Sequence, residues 1–186
     1  TMPKMSAAKA LVETLAANGV DTVFGVLGGT LLEVYDALYD HPQIRLIAPR
    51  SEDGALHMAD AYARVTGKVG VGIITVGPGA AYSIAAMGEA YAESFPVLNI
   101  VTQIPTPFLD KDKGIYHECT DQMGMFRPVT GWCHRITTPE ETPHAVSEAF
   151  NRMRSGRPRP VMLEIPSDVL RLEADIHIPP PATGSK

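Results

Sequence analysis

One carboxylate stands where it could do acid–base chemistry. Glu52 lies in Ala48-Pro49-Arg50-Ser51-Glu52-Asp53-Gly54-Ala55, where a short apolar run (Ile44, Leu46, Ile47) gives way to an alanine-rich helical pattern. This places it at the carboxyl end of an expected strand and the start of an expected helix, the edge at which open α/β sheets bind ligands. Two further junctions share that edge. Thr75-Val76-Gly77-Pro78-Gly79 follows a second strand pattern and opens a helix, and a third strand pattern ends at Thr102-Gln103. An acid, a glycine turn and a side-chain amide would then meet. A plainer role for Glu52 stands beside this one, because an acid in a helix's first turn is favoured by the helix dipole alone.

Other residues carry thinner signals. Gly25-Val26-Leu27-Gly28-Gly29 reads either as a backbone N–H cradle for a ligand or as a tight strand-to-helix turn. No Gly-Lys-Ser/Thr follows, so it is not a P-loop. Gly77-Pro78-Gly79 lacks the third glycine of a dinucleotide fingerprint, since position 82 is Tyr82. The six histidines show no metal-ligand spacing. His117 and Glu118, in a long polar stretch, suit either a substrate contact or ordinary loop polarity. Cys119 and Cys133 form no Cys-x-x-Cys pair and are expected to be reduced thiols.

The elements that must position these groups alternate along the chain. Helical patterns cover Ser6 to Asn18, Leu31 to Tyr39, Glu52 to Val65, Ala80 to Ala92 and Glu140 to Met153. Strand patterns cover Thr22 to Val26, Ile44 to Ala48, Val69 to Thr75, Pro96 to Thr102 and Val161 to Ile165. The strands are continuously apolar rather than alternating, as strands buried on both faces are. The expected fold is α/β, a doubly wound, mainly parallel sheet with helices on both faces. Residues 105–128 read as a long loop with one short helix, and loops of that length are often functional. Residues 1–178 make one expected domain, and 179–186, with Pro179, Pro180 and Pro181, a linker or tail.

Bulk properties exclude several classes. A formal net charge of -5 argues against a nucleic-acid binder, which usually shows a basic stripe. The longest apolar stretches, such as Val69 to Val76, fall short of the roughly 20 residues that a membrane span needs. The N-terminal residues lack the order of a secretion signal. The expectation is a cytoplasmic protein without nucleic-acid or membrane partners.

Taken in order, these segments resemble the pyrimidine-binding (PYR) domain of thiamine-diphosphate enzymes, most closely the acetolactate synthase-like group. The resemblance runs from Ala7 to Val169. It rests on Val23-Phe24-Gly25 with Gly28-Gly29, Arg50 to Ala55 followed by His57 to Arg64, Gly77-Pro78-Gly79-Ala80, Ala90-Tyr91 through Pro96-Val97, Gln103, and Gly156-Arg157-Pro158 with Pro160-Val161. The resemblance implies that Glu52 hydrogen-bonds N1′ of the cofactor's aminopyrimidine and so activates thiazolium C2 for attack on a small 2-keto acid. It implies that Gly28 and Gly29 lie beside the reacting carbon. Thr75, Gly77, Pro78 and Gly79 would pack along the cofactor, and Gln103 would offer its amide to a developing oxyanion.

Departures from the family's pattern bear on the reaction. The family often has His before the acid, where this chain has Ser51; Leu27, Val76, Tyr82 and the run Tyr116-His117-Glu118 also differ from the usual residues. They point to a related 2-keto-acid decarboxylase or carboligase, a lyase or transferase. The family's second domain binds the diphosphate through Mg²⁺ with a Gly-Asp-Gly signature, and no Gly-Asp-Gly occurs in this sequence. The resemblance thus implies half of a site, with the Mg²⁺ ligands on a diphosphate-binding (PP) domain or subunit elsewhere. It also implies a homodimer or higher oligomer and an isolated chain that is inactive. Two alternatives remain open: a separate PYR subunit of a split 2-keto-acid decarboxylase, and a non-catalytic dimerising Rossmann-like module.

Overall fold

A computed structural model describes residues 3–184, so the ends of the two expected segments, residues 1–2 and 185–186, lie outside the described residues. In chain order the elements are β1 Lys4–Ser6, α1 Ala7–Ala17, β2 Thr22–Gly25, α2 Leu32–Tyr39, β3 Arg45–Ile47, α3 Glu52–Thr66, β4 Gly70–Ile74, α4 Pro78–Tyr82, α5 Ile84–Glu93, β5 Val97–Gln103, α6 Gln122–Phe126, β6 Trp132–Arg135, α7 Thr142–Met153, β7 Val161–Pro166 and β8 Glu173–Asp175. Six strands form one sheet in the order β3-β2-β4-β5-β7-β6. All of its pairings are parallel, as the apolar strand patterns predict.

Side chains alternate across each strand, and the core accordingly has two halves. Val23, Val71, Ile73, Leu98, Ile100 and Leu163 pack under α1, α2 and α7, against Leu11, Leu15, Val34, Val146 and Phe150. Phe24, Ile74, Val101 and Met162 pack under α3, α5 and α6, against Leu56, Ala59, Met87 and Phe126. Helix α3 lies unusually close to β4. A Cβ at Gly70 would overlap the carbonyl oxygen of Ala59, and one at Gly72 would lie 2.7 Å from Cδ2 of Leu56. Two glycines on one face of β4 thus replace a layer of side chains and let the helix backbone touch the strand.

The structure differs from the sequence reading at three places. The helix expected over Ala80 to Ala92 is two helices, α4 and α5, meeting at the buried Ser83. The Ser83 hydroxyl donates to Ala80 O at 2.7 Å and accepts from Asn99 Nδ2 at 2.9 Å, so the bend is held by a side chain from β5. β6 is an edge strand whose only partner is β7, in a segment too polar and short to read as a strand. β1 and β8, three residues each, pair antiparallel outside the main sheet. Residues 179–184 lie against the body: Ala182 N–H donates to Asn18 Oδ1 at 2.9 Å, and Arg154 Nη1 donates to Ala182 O at 2.7 Å. No helix among the described residues is long and apolar enough to cross a membrane.

The amino edge of the sheet holds a charged cluster of its own. Asp21 accepts from Lys68 Nζ and Tyr62 Oη, both at 2.5 Å, and from the Thr22 hydroxyl at 2.9 Å. These contacts hold its carboxyl down to about 2. The folded pKa is depressed, so the contribution to stability is present above the ordinary carboxylate range and is lost as pH falls toward 2. Asp21→Asn should therefore lower the urea midpoint at pH 6, and its gap to the unsubstituted chain should narrow as pH is lowered from 4 toward 2. Gly70→Ala should cost about 1–3 kcal/mol, because the opposing atoms are helix backbone and cannot rotate away. Urea denaturation measures both.

Candidate functional site

The sheet order creates the crevice. From β2 the chain crosses outward to β3 and then returns past β2 to β4, so the loops after the neighbouring strands β2 and β4 leave in opposite directions. Ligands of open α/β sheets bind at such a switch point. The loop after β2 carries Gly28 and Gly29, the loop after β4 carries Thr75 to Gly79, and the loop after β3 leads into Glu52.

These three loops converge. A Cβ at Gly28 would lie 3.1 Å from Cβ of Thr75 and 3.2 Å from its hydroxyl. A Cβ at Gly79 would lie 2.6 Å from Cγ2 of Thr75 and 3.2 Å from Oε1 of Glu52. Glu52, Thr75, Gly79 and Gly28 thus form a contiguous rim, and any side chain at the two glycines would fill it. Gly29 is exposed beside it, and Pro78 occupies the first position of α4.

Thr30 ties the rim to the sheet. Its hydroxyl lies 2.9 Å from that of Thr75 and 2.6 Å from that of Thr102, bridging the ends of β4 and β5. Tyr35 supports the loop after β2 by donating to Val26 O at 2.8 Å. Burial, and then the nearby Glu52 charge, raise its phenol, so it is a neutral neighbour of the acid.

The environment of Glu52 bears on its two readings. Asp53 takes the helix-end contacts: hydrogen bonds from the Ser51 side chain and then the Gly54 N–H hold its exposed carboxyl below the ordinary range. Glu52 is half-buried, and among the described residues its carboxylate has no ion pair or hydrogen bond. Glu52 is left free on the rim.

Gly77 sits at φ +66° and ψ −110°, a conformation open only to glycine. A Cβ there would also overlap the carbonyl oxygen of His117. On its other side the Gly77 N–H donates to Oε1 of Gln122 at 2.7 Å. Gln122, fully buried, went unnoticed in the sequence because it stands in a polar stretch with no motif around it. Gln103 is buried with 2% exposure, its Oε1 accepting from Ile104 N–H at 2.8 Å and its Nε2 donating to Glu164 at 3.1 Å. It stands at the end of β5 with its amide turned into the protein.

The loop 105–121 closes over this edge. Glu118 accepts from the backbone N–H groups of Lys113 and Ile115, so its carboxylate braces the loop. Tyr116 is 80% exposed and stacks on His117 at 3.8 Å. Beside Gly29 and Thr30 opens a cavity of about 570 Å³, walled by Ile104, Tyr116, Asp168 and Arg171. Arg171 pairs with Glu33 at the same edge. Among the described residues no group of three or more His, Cys, Asp or Glu could hold a metal ion.

Comparison with known proteins places this geometry. Residues 5–125 match the family model described as the thiamine pyrophosphate enzyme, N-terminal TPP binding domain. The acetolactate synthase large subunit of Corynebacterium glutamicum is 41% identical over 177 residues, 95% of this chain and 28% of that protein. A probable 2-ketoarginine decarboxylase of Pseudomonas aeruginosa is 43% identical over 166 residues, 89% of this chain and 30% of that protein. The acetolactate synthase isozyme 3 large subunit of Escherichia coli is 38% identical over 169 residues, 91% of this chain and 29% of that protein. The chain spans less than a third of the length of these curated relatives.

Gly77→Ala should disturb both sides of its turn, costing about 1–3 kcal/mol in backbone strain alone. Limited proteolysis should then cut within 105–121 faster than in the unsubstituted chain, because His117 O is displaced from its seat.

Proposed function

The chain belongs to the thiamine pyrophosphate enzyme family as its N-terminal TPP-binding domain, and we propose that it supplies the pyrimidine-binding half of a 2-keto-acid decarboxylase or carboligase active site. The observation that carries this reading is the unpartnered Glu52 carboxylate beside Gly79, Thr75 and Gly28, on a rim that a side chain at either glycine would fill. Without side chains at the two glycines a flat heterocycle could approach the backbone here, and a free carboxylate is what a ring nitrogen needs as hydrogen-bond partner.

When bound, thiamine diphosphate supplies an electron sink for the carbon that loses carbon dioxide. The chain's own contributions are acid–base chemistry and placement. Glu52 would share a proton with N1′ of the aminopyrimidine, and its neighbour Tyr35 is a neutral phenol. Gly28 and Gly29 would leave room beside the reacting carbon. Thr75, Gly77, Pro78 and Gly79 would pack along the pyrimidine. Gln103 would serve a developing oxyanion only if its amide turned outward from Glu164, toward which it points here. The cavity beside Gly29 and Thr30 admits the keto acid.

Mg²⁺ and the diphosphate belong to a PP domain or subunit, and two half-sites facing across an interface make the assembly a homodimer or larger. Unpaired Cys119 and Cys133 are in keeping with a cytoplasmic setting. A second reading concerns the substrate. The 43% identity to a probable 2-ketoarginine decarboxylase favours a keto acid with a cationic side chain over pyruvate. Comparing decarboxylation of pyruvate and of 2-ketoarginine by the complete enzyme decides between the two.

In the complete enzyme Glu52→Gln should lower turnover by about 10²–10⁴ and slow exchange of the cofactor's C2 proton. Exchange at the unsubstituted rate would refute the role of Glu52. Calorimetry of the isolated chain with thiamine diphosphate and Mg²⁺ should show weak or no binding, since the diphosphate partners are absent from it.

A further inference from the structure

Glu164 is a charged side chain in the middle of an apolar strand. Its neighbours in β7 are Val161, Met162, Leu163 and Ile165, and it shares their burial at 0% exposure. Burying a carboxylate is costly unless donors meet it, and a well-packed apolar residue at such a place is often at least as stabilising. Here every contact is a donor. Oε1 accepts from Gln103 Nε2 at 3.1 Å and from Gln122 Nε2 at 2.9 Å, and Oε2 accepts from Arg135 Nε.

The acceptor at position 164 decides the sense of both amides. Gln122 turns its Nε2 toward Glu164 and toward Thr102 O at 3.0 Å, which leaves its Oε1 facing Gly77, where it takes the N–H at 2.7 Å. Gln103 likewise gives Nε2 to Glu164 and keeps Oε1 for Ile104 N–H. A carboxamide at 164 would aim its own N–H groups at one of these donors, and at least one contact would break.

We propose that Glu164 is a positioning residue for the candidate site: through Gln122 it clamps the Gly77 turn that sets Pro78 and Gly79 against Glu52, and it orients Gln103. The proposal rests on the reading of that turn as part of the cofactor's seat. Asp60 makes an instructive contrast, since its main partner is Arg64 of the same helix and the pair leads to no group on the rim.

Two measurements test it. Amide hydrogen exchange at Gly77 in this chain reads the clamp directly and needs no cofactor. In Glu164→Gln it should be roughly 10-fold faster or more, the scale expected for losing a buried hydrogen bond, while Val71 and Ile73 of β4 keep their rates. Gln122→Met leaves the Glu164–Arg135 pair in place and should show the same change at Gly77, which keeps the test available if Glu164→Gln does not fold. In the complete enzyme the apparent KM for thiamine diphosphate should rise by roughly 10-fold with either variant, with the keto-acid KM within about twofold, a split that loss of folded protein would not produce. A Gly77 exchange rate unchanged in folded Gln122→Met overturns the clamp. Faster exchange with an unchanged cofactor KM overturns the positioning role. Failure of the cofactor reading itself would appear elsewhere, as an unaffected C2-proton exchange in Glu52→Gln.

Discussion

The contact between helix α3 and strand β4 sets the geometry on which the rest depends. The helix runs against the strand, with Ala59 over Gly70, Leu56 over Gly72, and Glu52 beside Thr75 and Gly79. Each step toward the helix's first turn is a step toward the strand's carboxyl end. Because the strand offers hydrogen atoms where side chains would normally stand, the helix seats at backbone distance. Its first residue is thereby delivered to the switch point of the sheet, within reach of the loops after β2 and β4. The acid is carried by a rigid helix anchored along its length in the core, which fixes its position on the rim.

Polar groups inside the protein complete what the packing begins. The ends of β4 and β5 are joined through the hydroxyls of Thr75, Thr30 and Thr102. A second chain of contacts runs from Arg135 on the edge strand through Glu164 and Gln122 to the Gly77 turn. Both lie at the carboxyl edge of the sheet, whereas the interiors of the strands are closed by aliphatic side chains. In a low-dielectric interior such contacts hold direction as well as distance. The half-buried Glu52, without a partner of its own, sits among groups whose hydrogen bonds are already committed. It is therefore the available acid of the rim.

Much of the fold could be read along the chain, and the reasons are local. The periodicities of α1, α3 and α7 and the apolar runs of β4, β5 and β7 identify themselves, since each is long enough to show its period. β6 escaped because Trp132, Cys133, His134 and Arg135 are only partly buried and bind to the sheet on one side. The break between α4 and α5 escaped because it depends on Asn99, sixteen positions away on another element. Among the site residues, Gln103 was noticed as the end of a strand, but nothing near it in sequence shows that its amide turns toward Glu164.

The sequence by itself determined the class of fold, the strand-to-helix junctions and the family, because glycines, caps and apolar runs act over a few neighbours and leave a pattern that can be read in order. It also singled out Glu52, the acid at one such junction. Tertiary structure alone decided that Glu52 has no hydrogen-bond partner, that Gly28, Thr75 and Gly79 touch one rim, and that Gln122 and Glu164 are joined beside it. Those outcomes hang on contacts between residues more than 40 positions apart, Gly28 with Thr75, Gly77 with Gln122 and Gln122 with Glu164, which exist only once the sheet has brought the strand ends together.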